Sequence, residues 1–252
     1  MLSENRGDEH LSAWFAKMQQ SLINDFIVDE RWHYITKGIR ITILVTILAL
    51  IIGLVLGVLV AMIRSTHDQS NPRWFKSSGS FLLKLGNLIC KVYVTVIRGT
   101  PTLVQLLIMY FIIMLSSTKV NVAVITFGIN SGAYIAEIIR GGIMGVDSGQ
   151  MEAGRSLGLG YVPTMKDIIL PQAMKSSLPA LINEMITLLK ETSICGYIGL
   201  NELTRGGDII RGITFDALFP LFTVAAIYLV MVLFIQWTMG KVERRLRSSD
   251  YR

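Results

Sequence analysis

Residues 41–63 read ITILVTILALIIGLVLGVLVAMI, which is 23 consecutive residues without a charged side chain. An α-helix rises about 1.5 Å per residue, so this stretch extends about 34 Å and is long enough to cross a hydrocarbon core of about 30 Å. A second stretch, 217–240, has 24 residues and is also free of charge. The chain is therefore predicted to cross a membrane at least twice.

The composition of the whole chain agrees with a membrane protein. Of its 252 residues, 52% are hydrophobic and 17% are charged, and the mean hydropathy is +0.52. In a soluble domain about a quarter of all residues are usually charged, so a soluble enzyme and a disordered chain are both disfavoured. In a membrane protein, a net charge of +6 more often comes from basic cytoplasmic loops than from a nucleic-acid-binding surface. We therefore predict no nucleic-acid partner.

Three further apolar segments raise the predicted number of transmembrane helices to five. One of them contains Glu184, Lys190 and Glu191, which a helix inside a bundle can shield from lipid. Helices are expected because lipid offers the backbone no hydrogen-bond partners. The predicted spans are about 40–63, 88–117, 120–140, 177–200 and 217–240, within a transmembrane domain of residues 38–247.

Two glycine motifs predict close packing between helices. They are Gly53-x-x-x-Gly57 and Gly128-x-x-x-Gly132, and each gives a helix a smooth face. The sequence leaves open whether these faces meet within one chain or across a dimer.

The distribution of lysine and arginine predicts the orientation. The segments 64–91, 140–175 and 241–252 together hold 14 of these residues, whereas the segments on the other side hold eight. The positive-inside rule places the first set in the cytoplasm, so the N-terminus is expected outside and the C-terminus inside. The basic tail 241–252 is expected to contact anionic lipid.

Residues 1–37 precede the predicted bundle and carry an apolar stripe at helical spacing. The stripe consists of Leu11, Trp14, Phe15, Met18, Leu22 and Phe26. It predicts an amphipathic helix that either lies on the membrane surface or packs against the bundle.

Enzymatic and metal chemistry have little support in the residues. The chain has no G-x-x-x-x-G-K-[ST] loop for nucleotide phosphates and no cluster of metal-ligand residues. Cys90 and Cys195 are predicted at opposite ends of their spans, too far apart for a disulfide. We therefore expect no cofactor bound by this chain.

The connection 141–176, predicted in the cytoplasm, has the pattern of two short helices joined by a turn. Glu152-Ala153 is expected to begin the first helix, and Gly158 and Gly160 to end it. Pro163 is expected to open the second helix, and Pro171 to interrupt the chain before the fourth span.

Four motifs in this chain resemble one family of transport proteins. Glu152-Ala153-Gly154, followed by Gly158, Ile168 and Leu170-Pro171, resembles the EAA loop of ABC importer permeases. Residues 98–101 (RGTP), 136–141 (AEIIRG) and 188–193 (LLKETS) are similar to its polar amino acid uptake branch. The resemblance covers about residues 39–247.

The resemblance implies a type I permease fold in a bacterial cytoplasmic membrane. Such a permease pairs with a second permease subunit, identical or different, and works with two ATPase subunits and an extracytoplasmic solute-binding protein. ATP and magnesium would be bound by the ATPase subunits. Residues matching the EAA motif would contact the ATPase, namely Glu152, Ala153, Gly154 and Gly158.

Five charged residues lie in or near predicted spans: Arg98, Glu137, Glu184, Lys190 and Glu191. A charge at the centre of a transmembrane helix costs about 2.5–3.5 kcal/mol, so these side chains are expected to face the bundle, a partner or water. They would either line a path for an amino acid or pair with one another. Other functions remain open as well, including a passive channel, an ion-coupled carrier and an intramembrane enzyme.

Overall fold

The structure is a computed structural model that describes residues 14–69 and 77–247. Within these ranges every regular element is helical, which agrees with the predicted all-α class. The helices are α1 (described over residues 14–22), α2 (Trp32–Gln69), α3 (Ser77–Arg98), α4 (Thr102–Ile108), α5 (Lys119–Met144), α6 (Ser148–Ser156), α7 (Tyr161–Thr164), α8 (Leu170–Glu191), α9 (Leu203–Thr214) and α10 (Leu218–Arg247). Three π-helical turns lie at Ile23–Ile27, Met109–Ile113 and Met165–Ile169, and 3-10 helices lie at Val28–Glu30 and Thr192–Ile198.

Three described helices are long and apolar enough to cross a membrane on their own, namely α2, α5 and α10. A bent pair, Phe81–Arg98 with Thr102–Ile113, gives a fourth crossing if the two helices form one span. Helix α8 is not among the helices that are long and apolar enough to cross a membrane. The count of five spans and the orientation of the termini therefore stay predictions.

Helices α2 and α5 form the centre of the bundle. Of the three long helices, α5 is the most buried, and it packs most extensively against α2. The two glycine motifs face each other here, because a Cβ added at Gly53 would lie 3.1 Å from Ser131 and one at Gly128 would lie 2.7 Å from Ile52. The motifs thus bring two helices of the same chain together.

The span predicted over 88–117 is not one continuous helix. Helix α3 ends at Arg98, and the chain bends by 105° before α4 begins at Thr102. Pro101 is extended, with ψ 134°, and it has no N–H to continue the helical hydrogen bonds of α3. Arg98 was predicted inside a helix and instead is the last residue of α3, at this break.

The predicted interruption at Pro171 is also wrong. The chain is helical from Tyr161 through Glu191, and Pro171 lies in the first turn of α8. The π-helical turn Met165–Ile169 directly precedes it, and such a turn can accommodate a residue without an N–H. The helix at the fourth predicted span thus begins at Leu170, before residue 177, and the 3-10 helix Thr192–Ile198 follows it.

Helix α9 lies in the connection 201–216, for which the sequence predicted no helix. It packs against α2 and α10, and its buried residues Leu203 and Ile210 form a small core with Ile35 and Val224. Its N-terminus is capped by Glu202, whose carboxylate accepts hydrogen bonds from the backbone N–H groups of Thr204 and Arg205, both at 2.7 Å.

In the described part of the segment before α2, the end next to α2 packs against the bundle. Phe26 packs against the small core beside α9, whereas Trp14 and Phe15 are more than half exposed. This favours the membrane surface over the bundle as the environment of α1. Leu11, also in the predicted stripe, lies outside the described residues.

Both cysteines are buried and free, as predicted.

Candidate coupling loop and intramembrane polar cluster

Glu137 on α5 is the centre of a network of ion pairs. Arg64 of α2 donates to one carboxylate oxygen, and Arg140 donates to both, at 3.3 and 3.2 Å. Arg140 also donates to Asp68 at 3.2 Å. The Glu137 side chain is 21% exposed and that of Arg64 is 15% exposed. Glu137 therefore joins α5 to α2 through ion pairs.

Arg98 touches this network only loosely. Its guanidinium lies 3.9 Å from the Glu137 carboxylate and 5.0 Å from the centre of the Tyr134 ring. Its side chain is 42% exposed, the most open of the arginines around Glu137. A guanidinium has five N–H donors, so Arg98 keeps hydrogen-bonding capacity for another acceptor.

The structure separates the three charged residues of α8. Glu184 accepts a hydrogen bond from Ser131 of α5 at 2.8 Å, so it points into the bundle. Glu191 lies two helical turns further on and is half-buried, whereas Lys190 is exposed. The two glutamates share a face of α8, as the sequence spacing predicts, and Lys190 lies away from it.

A cavity of about 390 Å³ opens between α5 and α8 next to the ion-pair network. Glu137, Ser176 and Ser177 contribute its polar groups, and Gly141, Gly142 and Gly145 keep its α5 wall free of side chains. The cavity connects the network with the end of the bundle that carries the loop 141–176.

The first helix of that loop, α6, begins earlier than predicted and ends as predicted. Asp147 caps it by accepting a hydrogen bond from the Gly149 N–H at 2.8 Å, so Glu152 lies within the helix rather than at its start. At its end, the Gly158 N–H donates to Arg155 and the Leu159 N–H to Gly154. This is a Schellman turn, and Gly158 adopts the positive φ of 83° that it requires.

The surface of the loop combines charge with exposed apolar groups. Glu152 and Ala153 are exposed, as expected for contact residues. Leu157 is 81% exposed and Val162 is 69% exposed, and sequence reasoning did not select either. Exposed apolar side chains grouped on one surface are typical of a protein-binding surface.

Gly154 differs from the expectation of a direct contact. It is buried, and a Cβ there would lie 2.6 Å from the side chain of Thr164 on α7. It therefore allows α6 and α7 to pack closely and shapes the loop from inside.

The base of the loop is firmly packed on the bundle. Met165, Ile169 and Ala173 are buried in one cluster with Ile139 and Ile143 of α5. Tyr161 lies within 3.5 Å of the Thr66 hydroxyl, and burial raises its pKa. The base of the loop therefore contacts both α5 and α2.

Sequence reasoning missed Arg64, which pairs with Glu137, and Asp68, which pairs with Arg140. Both lie just beyond the charge-free stretch of α2, where they read as flanking residues. A signal was present, because a glutamate inside an apolar span requires a cation from another helix. Among the described residues, no group of three or more His, Cys, Asp or Glu side chains forms a metal site.

The chain was compared with protein families and with curated relatives. The model of the family "Binding-protein-dependent transport system inner membrane component" matches residues 78–248. The arginine transport system permease protein ArtQ of Bacillus subtilis (strain 168) is 42% identical over 166 residues, which is 64% of this chain and 76% of the relative. The glutamine transport system permease protein GlnP of Escherichia coli (strain K12) is 39% identical over 168 residues, or 65% and 77%.

Solved structures give the same result. The crystal structure of an amino acid ABC transporter with histidines matches with a TM-score of 0.75 and 39% identity, covering 86% of this chain and 96% of that one. The MetNI methionine ABC transporter, in an inward-facing conformation, matches with a TM-score of 0.69 and 20% identity, over 84% and 95%. The second match concerns the fold alone.

These matches confirm the resemblance drawn from the four sequence motifs. They also confirm the prediction that the chain is a transport subunit and not an enzyme, because the relatives are permease components.

Proposed function

Because the chain belongs to the family of binding-protein-dependent transport system inner membrane components, we propose that it is the permease subunit of an ATP-driven importer for polar amino acids. It would pair with a second permease subunit, identical or different, in a bacterial cytoplasmic membrane. Two ATPase subunits would supply the energy, and an extracytoplasmic binding protein would deliver the solute. The names of the relatives, which include arginine and glutamine permeases, support this substrate class.

The proposed topology has five membrane spans, with the N-terminus outside and the C-terminus in the cytoplasm. Helices α2, α5 and α10, the bent pair α3–α4, and α8 would be the spans. Two observations support α8 as a span. The Glu184 carboxylate accepts a hydrogen bond from Ser131, and the 22 residues of α8 extend about 33 Å. At the inner end of α10, the Lys241 ammonium lies 3.4 Å from the Trp237 ring centre, as suits a membrane interface facing anionic lipid.

The coupling of ATP hydrolysis to transport would run through the loop 141–176. Glu152 and Ala153 would contact the ATPase directly, joined by the exposed Leu157 and Val162. Gly154 and Gly158 would maintain the shape of this surface through close packing and a Schellman turn. Closure of the ATPase subunits would then move the buried base of the loop together with α5.

The substrate would pass the polar groups inside the bundle. Arg98 would bind the carboxylate of the amino acid, and Glu184 and Glu191 would attract its ammonium or a basic side chain. Glu137 would have a structural role, because three arginines already surround it. Lys190, which is exposed, would contact lipid headgroups, water or a partner subunit.

The observation that carries the proposal is the exposed surface of the loop 141–176 on a rigidly packed base. A channel or an ion-coupled carrier does not require such a projection.

The test is uptake by proteoliposomes that contain this chain, its ATPase subunits and its binding protein. Labelled arginine, glutamine and histidine would be offered with ATP, with a non-hydrolysable analogue, and with ionophores that remove ion gradients. We expect uptake of at least one of these amino acids that requires ATP hydrolysis and persists with ionophores. Uptake that continues without hydrolysis and stops with ionophores would refute the proposal.

A further inference from the structure

The break between α3 and α4 creates a hydrogen-bonding problem inside the membrane. The last carbonyl groups of α3 have no helical donors, because the chain turns by 105° and Pro101 has no N–H. Lipid would not satisfy these groups, so side chains must do so. The Thr100 hydroxyl donates to the carbonyl of Val96 at 2.9 Å, which covers one of them.

The side chain of Gln105 donates hydrogen bonds to two further carbonyl groups at the break. Its side-chain Nε2 lies 2.7 Å from the carbonyl of Ile97 and 3.1 Å from that of Thr100. It also lies 2.8 Å from the Thr100 hydroxyl. One amide from the first turn of α4 therefore fixes the end of α3 and the connecting turn.

The same side chain joins the break to the central helix. Gln105 Oε1 accepts a hydrogen bond from Asn130 Nδ2 of α5 at 3.0 Å. Asn130 is 2% exposed, so this bond is shielded from water. Gln105 thus connects three elements, namely the end of α3, the start of α4 and α5.

This connection determines what Arg98 faces. Asn130, Tyr134 and Glu137 follow one another on one face of α5, at intervals of four and three residues. The bond to Asn130 aligns the end of α3 with this face, and there the Arg98 guanidinium lies against Tyr134 and near Glu137. Among the described residues, the ion pair of Arg98 is the loose one to Glu137 at 3.9 Å, so the orientation of Arg98 depends on the geometry of the break.

We propose that Gln105, held by Asn130, is a positioning residue that orients Arg98 toward the carboxylate of the transported amino acid. This inference rests on the proposed function, in which Arg98 lies on the substrate path. A purely structural role for Gln105 would affect stability without affecting recognition of the carboxylate, so the two roles can be separated experimentally.

The test measures binding of labelled arginine, glutamine and histidine to the purified permease–ATPase complex, with the matching amino acid amides as competitors. The amides lack the carboxylate. Gln105→Leu is expected to weaken binding about tenfold, as Arg98→Gln does, and to remove the preference for the acid over the amide. Gln172→Leu is the matched control, because Gln172 donates to a helix carbonyl at 2.9 Å on an exposed surface.

A double variant shows whether Gln105 acts through Arg98. If it does, Gln105→Leu with Arg98→Gln binds no more weakly than Arg98→Gln alone. The exchange Gln105→Asn with Asn130→Gln keeps the combined side-chain length and is expected to restore binding. It also provides a folded variant if Gln105→Leu is unstable.

Additive losses in the double variant, or an unchanged preference for the acid, would overturn the inference. An exchange variant that is folded and binds no better than Gln105→Leu would overturn it too. Failure of the proposed function would appear differently, as the absence of ATP-driven uptake by the wild-type importer.

Discussion

Replacing Glu137 with glutamine removes the carboxylate that Arg64, Arg140 and Arg98 surround. Glutamine has nearly the same shape, so the change removes charge and not volume. Arg140 retains Asp68 at 3.2 Å, but Arg64 loses its anionic partner while remaining only 15% exposed. We therefore expect Glu137→Gln to destabilise the permease strongly.

The size of the effect follows from burial and from the remaining partner. Removing one member of a buried ion pair costs about 3–5 kcal/mol. Because Glu137 is 21% exposed and Arg140 keeps one partner, we expect about 2–3 kcal/mol. At about 2–4 °C per kcal/mol for a domain of this size, the Tm would fall by about 4–12 °C.

Arg98→Gln is the matched comparison. It removes a contact of 3.9 Å from a side chain that is 42% exposed, so it should cost less than about 1 kcal/mol and leave the Tm within about 4 °C. Both variants would be compared with the wild type by thermal unfolding in the same nanodiscs, and by uptake. We expect Glu137→Gln to lose mainly stability and Arg98→Gln to lose mainly uptake. A Tm shift as large for Arg98→Gln as for Glu137→Gln would refute the division into structural and path residues.

Three other substitutions test the fold and the loop. Burial raises the pKa of the fully buried Asp25, and the nearby Asp216 raises it further, whereas Thr214 and Arg31 lower it. Asp25 therefore contributes stability at low pH that is lost as the pH rises through its folded-state pKa. Asp25→Asn should remove that loss, and equal Tm–pH curves for the variant and the wild type would contradict this. Gly38→Ala places a Cβ 2.7 Å from the Leu203 backbone of α9, so it should lower the free energy of unfolding by about 1–3 kcal/mol. An unchanged Tm would show that α2 and α9 can move apart without loss of stability. Gly158→Ala forces alanine to a φ of 83°, which costs about 1–2 kcal/mol, and it should reduce solute-stimulated ATPase activity more than the exposed Gly160→Ala does.

The sequence predicts well those features that depend on local pattern. Long charge-free stretches identify α2 and α10, because the hydrocarbon core sets a length that few soluble helices meet. Gly158 predicts the end of α6, since only a residue that tolerates positive φ completes the Schellman turn there. Of the EAA-like residues, Glu152 and Ala153 are exposed and Gly154 is buried, so the spacing alone does not separate surface residues from packing residues.

Features that depend on contacts between distant residues could not be predicted in the same way. Pro101 and Pro171 look alike in sequence, yet the chain bends sharply at Pro101 and stays helical through Pro171. The difference lies in the π-helical turn before Pro171 and in the side chain of Gln105 at the other site. Arg64 is 73 residues from Glu137, and the sequence indicates that Glu137 needs a cation from another helix without indicating which one.

Helix α9 was missed for a different reason. Gly206 and Gly207 weaken its helical pattern, but both are required because α9 lies very close to α2 at Gly206 and to α10 at Gly207. A Cβ at Gly206 would lie 2.6 Å from the carbonyl oxygen of Tyr34, and one at Gly207 would lie 2.5 Å from Val224. Tertiary packing here outweighs local propensity.

The central claim is that the exposed loop surface around Glu152 receives movement from a separate ATPase. The most direct measurement is solute-stimulated ATP hydrolysis by the reconstituted importer carrying Glu152→Lys, with Glu30→Lys as a charge-matched control on the predicted outer side. We predict that Glu152→Lys assembles and unfolds at the wild-type temperature but loses the stimulation, while the control keeps it. Normal stimulation and uptake by Glu152→Lys would contradict the claim.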